Sequence, residues 1–364
     1  MTCKKTPLFE EHKKNGGKIV EFAGYSLPIS YTSISQEHFT VREKVGVFDV
    51  SHMGEFIISG SDSFNFLQKL TTNDLKKLRF GQAQYSLMCN QNGGILDDLI
   101  IYKKKNDFLL VVNASNREKN LKWLKKHQGS NVFINDISDS IGLLAVQGPK
   151  SRKLLNQLSD MDIDKLPFYH FQYGSVEGIN VLISRTGYTG ELGFEIYIKS
   201  KHLIQLWRTI LSKGEEFGIA PVGLGCRDTL RMEMRYHLFG SDINENINPI
   251  EAGLSWVTKF GKEYFIGKNK LIDIRKNSPK KMVCIEMAER AIPRTGNKII
   301  FKNKIIGKVT SGTMSPSLKK GICIGYVESK KSQTGLSILI DIRGKKKKGY
   351  IVDSPFYKDG SLMI

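Results

Sequence analysis

Two adjacent carboxylates, Asp97 and Asp98, interrupt an otherwise apolar run from Ile95 to Tyr102. In an extended chain successive side chains point to opposite faces. Alternation puts Asp98 with Leu96, Ile100 and Tyr102, and Asp97 on the other side. One of the two acids then points into an apolar interior or a cleft. An ionised carboxylate there is costly unless it is paired or hydrogen-bonded. The residues alone leave three readings open: a functional acid, an edge strand with both acids in water, or a buried acid satisfied by a lysine or an amide.

Other groups have chemistry to offer. Arg227, Arg231 and Arg235 recur at i, i+4 spacing and stack on one side of a helix expected from Cys226 to about Tyr236. They suit carboxylate recognition, or pairing with Asp228 and Glu233. Gly187, Gly190 and Gly193 let the backbone approach something closely but follow neither dinucleotide nor P-loop spacing. In the strand after them Glu195 and Tyr197 share a face, which water or a site would explain equally. His52 has no partner nearby in sequence and reads as a satisfied structural histidine. Five scattered cysteines without a CxxC pair, and seven histidines without an HxH or HxxxH pair, argue against disulfides and metal.

These groups need a scaffold. At 364 residues the chain exceeds one ordinary core. Its 40% hydrophobic and 25% charged content is that of a globular protein. No apolar run is long enough to span a bilayer, and the N-terminus lacks the apolar core of a secretory signal, so a cytoplasmic protein is expected. A net charge of +19 favours anionic partners, yet no aromatic-interleaved, zinc-finger or basic-helix pattern points to nucleic acid. The lysine runs Lys103 to Lys105 and Lys345 to Lys348 read as solvated turns.

Asn92-Gly93 is a tight-turn signal that makes Tyr85 to Tyr102 a hairpin. Helices are expected over residues 36–46, 61–70 with Ser61 as N-cap, 115–127, 150–158 and 201–211. Strands and helices alternate with hairpins, as in an antiparallel α+β assembly. From about Lys281 short strands and Gly, Asn and Lys turns suggest a small sandwich or barrel.

Taken together, TPLF at the start, FDVSHMGEF, TTND, GQAQYSLMCNQNGGILDDLIIY, VVNASNREK, AVQGPK, SRTGYTG, PVGLGCRDTLRMEM, NPIEAGLSWVTKF, IPRTG, GKVTSGTMSPSL and SPFYK occur in an order and spacing that closely resemble the glycine cleavage system T-protein family, the tetrahydrofolate-dependent aminomethyltransferases. The resemblance runs from Thr6 to Lys358. It implies a multidomain α+β fold: a three-domain cloverleaf around a central folate cavity. Residues 1–280 would form the folate-binding region, a discontinuous antiparallel sheet domain with a ferredoxin-like domain inserted from about residue 55. Residues 281–364 would form a jelly-roll-like β-barrel.

It also implies an activity. The lipoyl arm of an acidic H-protein delivers an S-bound aminomethyl group, and tetrahydrofolate, possibly polyglutamylated, takes the carbon as ammonia leaves. The carrier supplies the reactive sulfur, so no protein nucleophile or metal is needed. Asp98, the second acid of GGILDDL, matches the family's catalytic aspartate. Glu195 would hold the amidine-like pterin edge. Tyr85, Tyr102 and Tyr188 would line the ring or its aminobenzoyl part, with Met53 and Asn113 as wall contacts and Tyr236 in the same group. Arg227 would meet an anionic or carbonyl group. Leu192 replaces the usual acid of the TGEDG loop. The alternatives are a folate-dependent demethylase of the same superfamily, and a non-catalytic folate-binding or RNA-associated protein.

Overall fold

The computed structural model describes residues 3–363. Two sheets dominate its first two thirds. One is five-stranded and antiparallel, in the order Ala83–Cys89, Ile95–Lys103, Phe108–Val112, Gly54–Ser59, Phe133–Asp136. The other has six strands, in the order Phe171–Val176, Ile179–Ser184, Gly193–Lys199, Ile141–Gln147, Val45–Asp49, Ile219–Pro221, the last pair parallel. The chain leaves the six-stranded sheet after Asp49, builds the five-stranded one, and returns at Ile141.

Side-chain alternation decides what each face meets. Phe108, Leu110 and Val112 pack outward against the helices Ser63–Leu70 and Arg117–Lys126. Leu109 and Val111 point inward. There they meet Phe48, Leu143, Ala145, Leu182 and Tyr197 of the six-stranded sheet, with Cys226 and Leu230 of the helix Leu224–Glu233. The far side of the six-stranded sheet carries Leu144, Val146, Phe194 and Ile196 under the helices Ser151–Leu158 and Leu203–Lys213. Each fully buried Leu, Ile or Phe contributes about 1.5–3 kcal/mol. The strands are therefore apolar on both faces, and an acid among them stands out.

The catalytic-candidate hairpin differs from expectation in two ways. Its connection is a five-residue loop, Asn90 to Gly94, rather than a two-residue turn. The Asn90 side chain accepts from the main-chain N–H of Asn92 and Gly94, and Gly93 alone of the two turn residues takes positive φ, 82°. At Gly94 a Cβ would lie 1.8 Å from the Glu245 carbonyl, so only glycine fits. The register also shifts between Met88 and Cys89. This bulge turns Leu96 to the outer cluster with Leu99 and Ile101, away from the face predicted for it.

Several helix ends move. Asp62, not Ser61, is the N-cap of Ser63–Leu70. The helix Ile34–Glu43 starts earlier than expected, capped by Ser33, whose hydroxyl accepts from the Gln36 N–H. The arginine-bearing helix stops at Glu233, and Arg235 takes a left-handed φ of 56° beyond it. A three-stranded sheet of Lys4–Lys5, Tyr25–Ser30 and Lys18–Phe22 lies at the N-terminus.

The C-terminal strands close into a six-stranded barrel in the order Lys280–Met287, Lys320–Glu328, Lys304–Ser315, Lys298–Phe301, Ser337–Ile342, Lys345–Val352. Lys345 to Lys348 are not a turn but the first half of its last strand. Lys345, Lys346 and Lys348 are exposed and Lys347 pairs with Glu289 (2.6 Å), while Gly349 and Ile351 turn inward and Asp341 sits opposite Lys346.

A buried ionic cluster ties these parts together. Arg42 donates to Glu191 (2.7 Å), to Glu233 (2.7 Å) and to the Thr189 carbonyl (2.8 Å). Glu233 also accepts from Ser315 and Ser317 of the barrel region. Removing one member leaves buried charge uncompensated. Arg42→Met should therefore destabilise the protein by about 3–5 kcal/mol, read as a lower denaturant midpoint. A midpoint within error of the parent would show that the cluster is not holding the parts.

Candidate functional site

A cavity of about 760 Å³ opens where the two sheets, the helix Leu224–Glu233 and the segment from Met234 to Trp256 meet. That is a normal size for a small-molecule site. Asp98, Tyr85, Met53, Asn113, Tyr188, Glu195, Arg227 and Tyr236 all line it. Tyr102 does not. It is fully buried behind the wall, with its hydroxyl 2.9 Å from that of Tyr197 and 3.4 Å from the Thr186 hydroxyl. It shares the face of Asp98 but sits further down the strand, where the six-stranded sheet covers it.

Asp98 faces the cavity. Tyr85 Oη donates to its Oδ2 (3.0 Å) and Asn113 Nδ2 to its Oδ1 (2.7 Å). Burial raises the Asp98 carboxyl above its usual range, while these two donors favour the ionised form. Asp97 points the other way and is fully buried. It accepts from the Asn113 main chain (3.2 Å) and side chain (2.8 Å), from Asn116 (2.7 Å) and from Asn120. Amides, not a lysine, satisfy it. Its carboxyl is also raised, by burial and by the charge of Asp98. Asn113 is thus more than a wall contact: its side-chain N–H groups clasp both carboxylates.

Glu195 stands across the cavity. Its strand alternates as read, but its face meets the other sheet rather than water. Burial raises its carboxyl; the hydroxyl of Thr186, donating at 2.5 Å, and the positive charge of Arg227 oppose that shift. Tyr188 and Tyr236 stack with ring centroids 5.7 Å apart and 24° between planes. Tyr236, the member with the most diverged surroundings, thus joins the cluster. Tyr188 also donates to the His237 carbonyl.

The three helix arginines separate. Arg227 lies over the Tyr188 ring, 4.6 Å from its centroid, and forms no ion pair among the described residues. Arg231 is a structural ion: it pairs with Asp228 (2.8 Å) and the buried Asp242 (2.5 Å). Arg235 donates to the Ala252 carbonyl. Leu192 packs into the outer core while its carbonyl accepts from Gly148 and Ser151, so the loop is fastened without the usual acid.

Sequence reasoning missed part of this wall. Trp256 is 61% exposed and stacks on Tyr85 at 5.9 Å and 19°. Its exposure depends on tertiary packing and leaves no mark in sequence. Pro355 and Leu362, near the C-terminus, also line the cavity. His52 lines it too and, contrary to expectation, is not satisfied: Nδ1 is enclosed without a hydrogen-bond partner.

Glu55 is a second orphan. It is 1% exposed between the sheets, and neither carboxylate oxygen has a partner. Burial holds its carboxyl well above the usual range. The proton it keeps stabilises the fold below the unfolded value of about 4.3, and that contribution is lost as pH rises toward the folded value. Glu55→Gln should flatten this decline, by up to about 1.4 kcal/mol per pH unit in a series of urea midpoints. Parallel stability–pH curves for variant and parent would contradict a buried neutral carboxyl.

Among the described residues no group of three His, Cys, Asp or Glu is placed to hold a metal ion, and no helix is long and apolar enough to cross a membrane. The sequence matches the GCVT N-terminal domain over residues 8–262 and the glycine cleavage T-protein C-terminal barrel domain over residues 280–358. The two matches together span most of an α+β chain that ends in a barrel, and the chain belongs to the glycine cleavage T-protein family. Among its relatives are the aminomethyltransferases of Thermoanaerobacter pseudethanolicus, 48% identical over 98% of both chains, and of Bacillus subtilis, 46% identical over 98% of this chain and 99% of that one. The crystal structure of glycine cleavage system aminomethyltransferase T from Bartonella henselae superposes with a TM-score of 0.91 at 31% identity, covering 98% of this chain and 99% of that one. The protein is an aminomethyltransferase enzyme.

Proposed function

We propose that the cavity takes tetrahydrofolate and that the one-carbon unit arrives on the lipoyl arm of an H-protein. The observation that carries this reading is Asp98, a desolvated carboxylate kept ionisable by Tyr85 and Asn113 in the same cavity as Glu195. Bound tetrahydrofolate supplies the nitrogens that accept the carbon. Glu195, held by the Thr186 hydroxyl, offers a carboxylate to the N–H groups of the pterin edge. Tyr188 and Tyr236 present a stacked aromatic wall of suitable size. Asp98 holds negative charge where positive charge develops during transfer, and the rigid clasp of Asn113 keeps it there without reorganisation. Arg227 remains available to an anionic or carbonyl group of either substrate.

The net charge of +19 suits an acidic carrier protein and the polyglutamate tail of folate. The same reading places the folate-binding region in residues 1–280 and the barrel domain in 281–364, and the enzyme in the cytoplasm, with no role for nucleic acid or membrane. The test supplies lipoylated H-protein charged with aminomethyl groups and tetrahydrofolate, and follows ammonia release. Release at the uncatalysed rate would refute the proposal.

A further inference from the structure

His52 lines the cavity, yet neither the carboxylates nor the aromatic wall engages it. It is 3% exposed, and its Nδ1 is enclosed without a hydrogen-bond partner among the described residues. A buried polar group left unpaired costs about 1–3 kcal/mol. Its position is nevertheless fixed. The edges of Phe22 (5.7 Å) and Tyr25 (6.1 Å) pack on the ring. The turn that carries it is clamped, the Ser51 N–H donating to Asp49 (3.0 Å) and the Leu143 N–H to the Ser51 hydroxyl (3.0 Å). A rigid, unsatisfied imidazole on a cavity wall is a group whose partner arrives with a ligand.

The surroundings indicate which ligand. Phe22, Val50 and Leu143 make this wall apolar, which suits an aliphatic arm better than the amide-rich pterin. The charged groups acting on the ring are Arg227 and Asp49. Burial and Arg227 hold the imidazole neutral, near a pKa of about 4, so at working pH it keeps one N–H to donate. Asp98 already serves developing positive charge. A neutral N–H donor near an unpaired guanidinium serves the opposite sign.

Resting on the proposed reaction, we propose that His52 donates a hydrogen bond to the sulfur of the carrier arm, receiving it as a thiolate near Arg227. The carbon loses its bonds to sulfur and to the amine nitrogen and gains two bonds to folate nitrogens. The sulfur leaves with the electron pair of the broken bond. The two protons displaced from the folate nitrogens end on sulfur and on the amine, giving a free thiol and ammonia. Nothing is oxidised or reduced.

The reverse reaction tests this, because there the thiol must attack. With dihydrolipoyl carrier, ammonia and methylene-tetrahydrofolate, His52→Gln should lower the rate about 10- to 100-fold at neutral pH. The deficit should shrink as pH rises toward the carrier thiol's own ionisation range, where the thiolate forms without help. The variant's affinity for tetrahydrofolate, measured by calorimetry, should stay within about twofold of the parent. His52→Asn gives the same readouts should the glutamine variant not fold. A parent-to-variant rate ratio that does not change with pH, or a loss of folate affinity matching the loss of rate, would overturn the assignment. Absence of turnover in the parent enzyme would instead count against the proposed function.

Discussion

An Asp98→Asn variant is expected to bind tetrahydrofolate almost as the parent does while turning over about 10²–10⁴ times more slowly. The substitution keeps shape and removes charge. Tyr85 can still donate to the asparagine oxygen, and the Asp97 clasp does not depend on Asp98, because Asn116 and Asn120 also hold Asp97. The wall therefore survives, and what disappears is negative charge beside the reacting carbon. A pH profile adds a second readout. Burial raises the Asp98 carboxyl above the free-aspartate value of about 3.9, so the parent should lose turnover as pH falls and Asp98 takes up a proton. The residual activity of the variant should lack that limb. Single-turnover ammonia release together with a folate dissociation constant separates the effects; unchanged turnover would remove Asp98 from the chemistry.

Glu195→Ala is expected to do the reverse: weaken tetrahydrofolate binding about 10- to 100-fold, with turnover at saturation largely retained. In the parent the Glu195 carboxylate is desolvated and is met by hydroxyls, Thr186 foremost, but by no ion pair among the described residues. Ligand N–H groups would complete its pairing, and alanine removes that gain. The loop itself should persist, because the Thr186 hydroxyl also reaches the Ser184 hydroxyl at 3.1 Å. Fluorescence titration with tetrahydrofolate measures the effect. A dissociation constant equal to the parent's would place the pterin edge elsewhere.

These two acids also mark what was legible without coordinates. Strand parity separated Asp98 from Asp97 correctly, and the family motifs selected the same acid. Parity failed at Leu96, because a bulge at the hairpin end inserts a residue that no alternation rule anticipates. It also fixed a face without fixing a depth, which is why Tyr102 was expected in the wall and lies behind it. Glu195 and Tyr197 alternated as a half-exposed strand would; the sheet that covers them comes from residues far away in sequence. Arginine spacing implied one row of three, but the helix ends at Glu233 and packing gives each arginine a different neighbour. Lysines hid a strand because their charged ends reach water from a barrel surface as readily as from a turn. Trp256 and His52 have a meaning only in three dimensions.

The ionic cluster around Arg42 has a bearing on how the enzyme is made. Glu191 accepts from the main chain and hydroxyl of Ser361, and the Leu362 N–H donates to the Gly190 carbonyl. Leu362 and Pro355 finish the cavity wall. Both come from residues translated after every strand of the two sheets and the barrel. A nascent chain released from the ribosome only as far as the barrel would already carry Asp98 and Glu195 on their strands. It would still lack the segment that pairs with the second Glu191 oxygen and lines one side of the cavity. The cavity wall is therefore complete only once residues 355–362 have docked against Gly190 and Glu191.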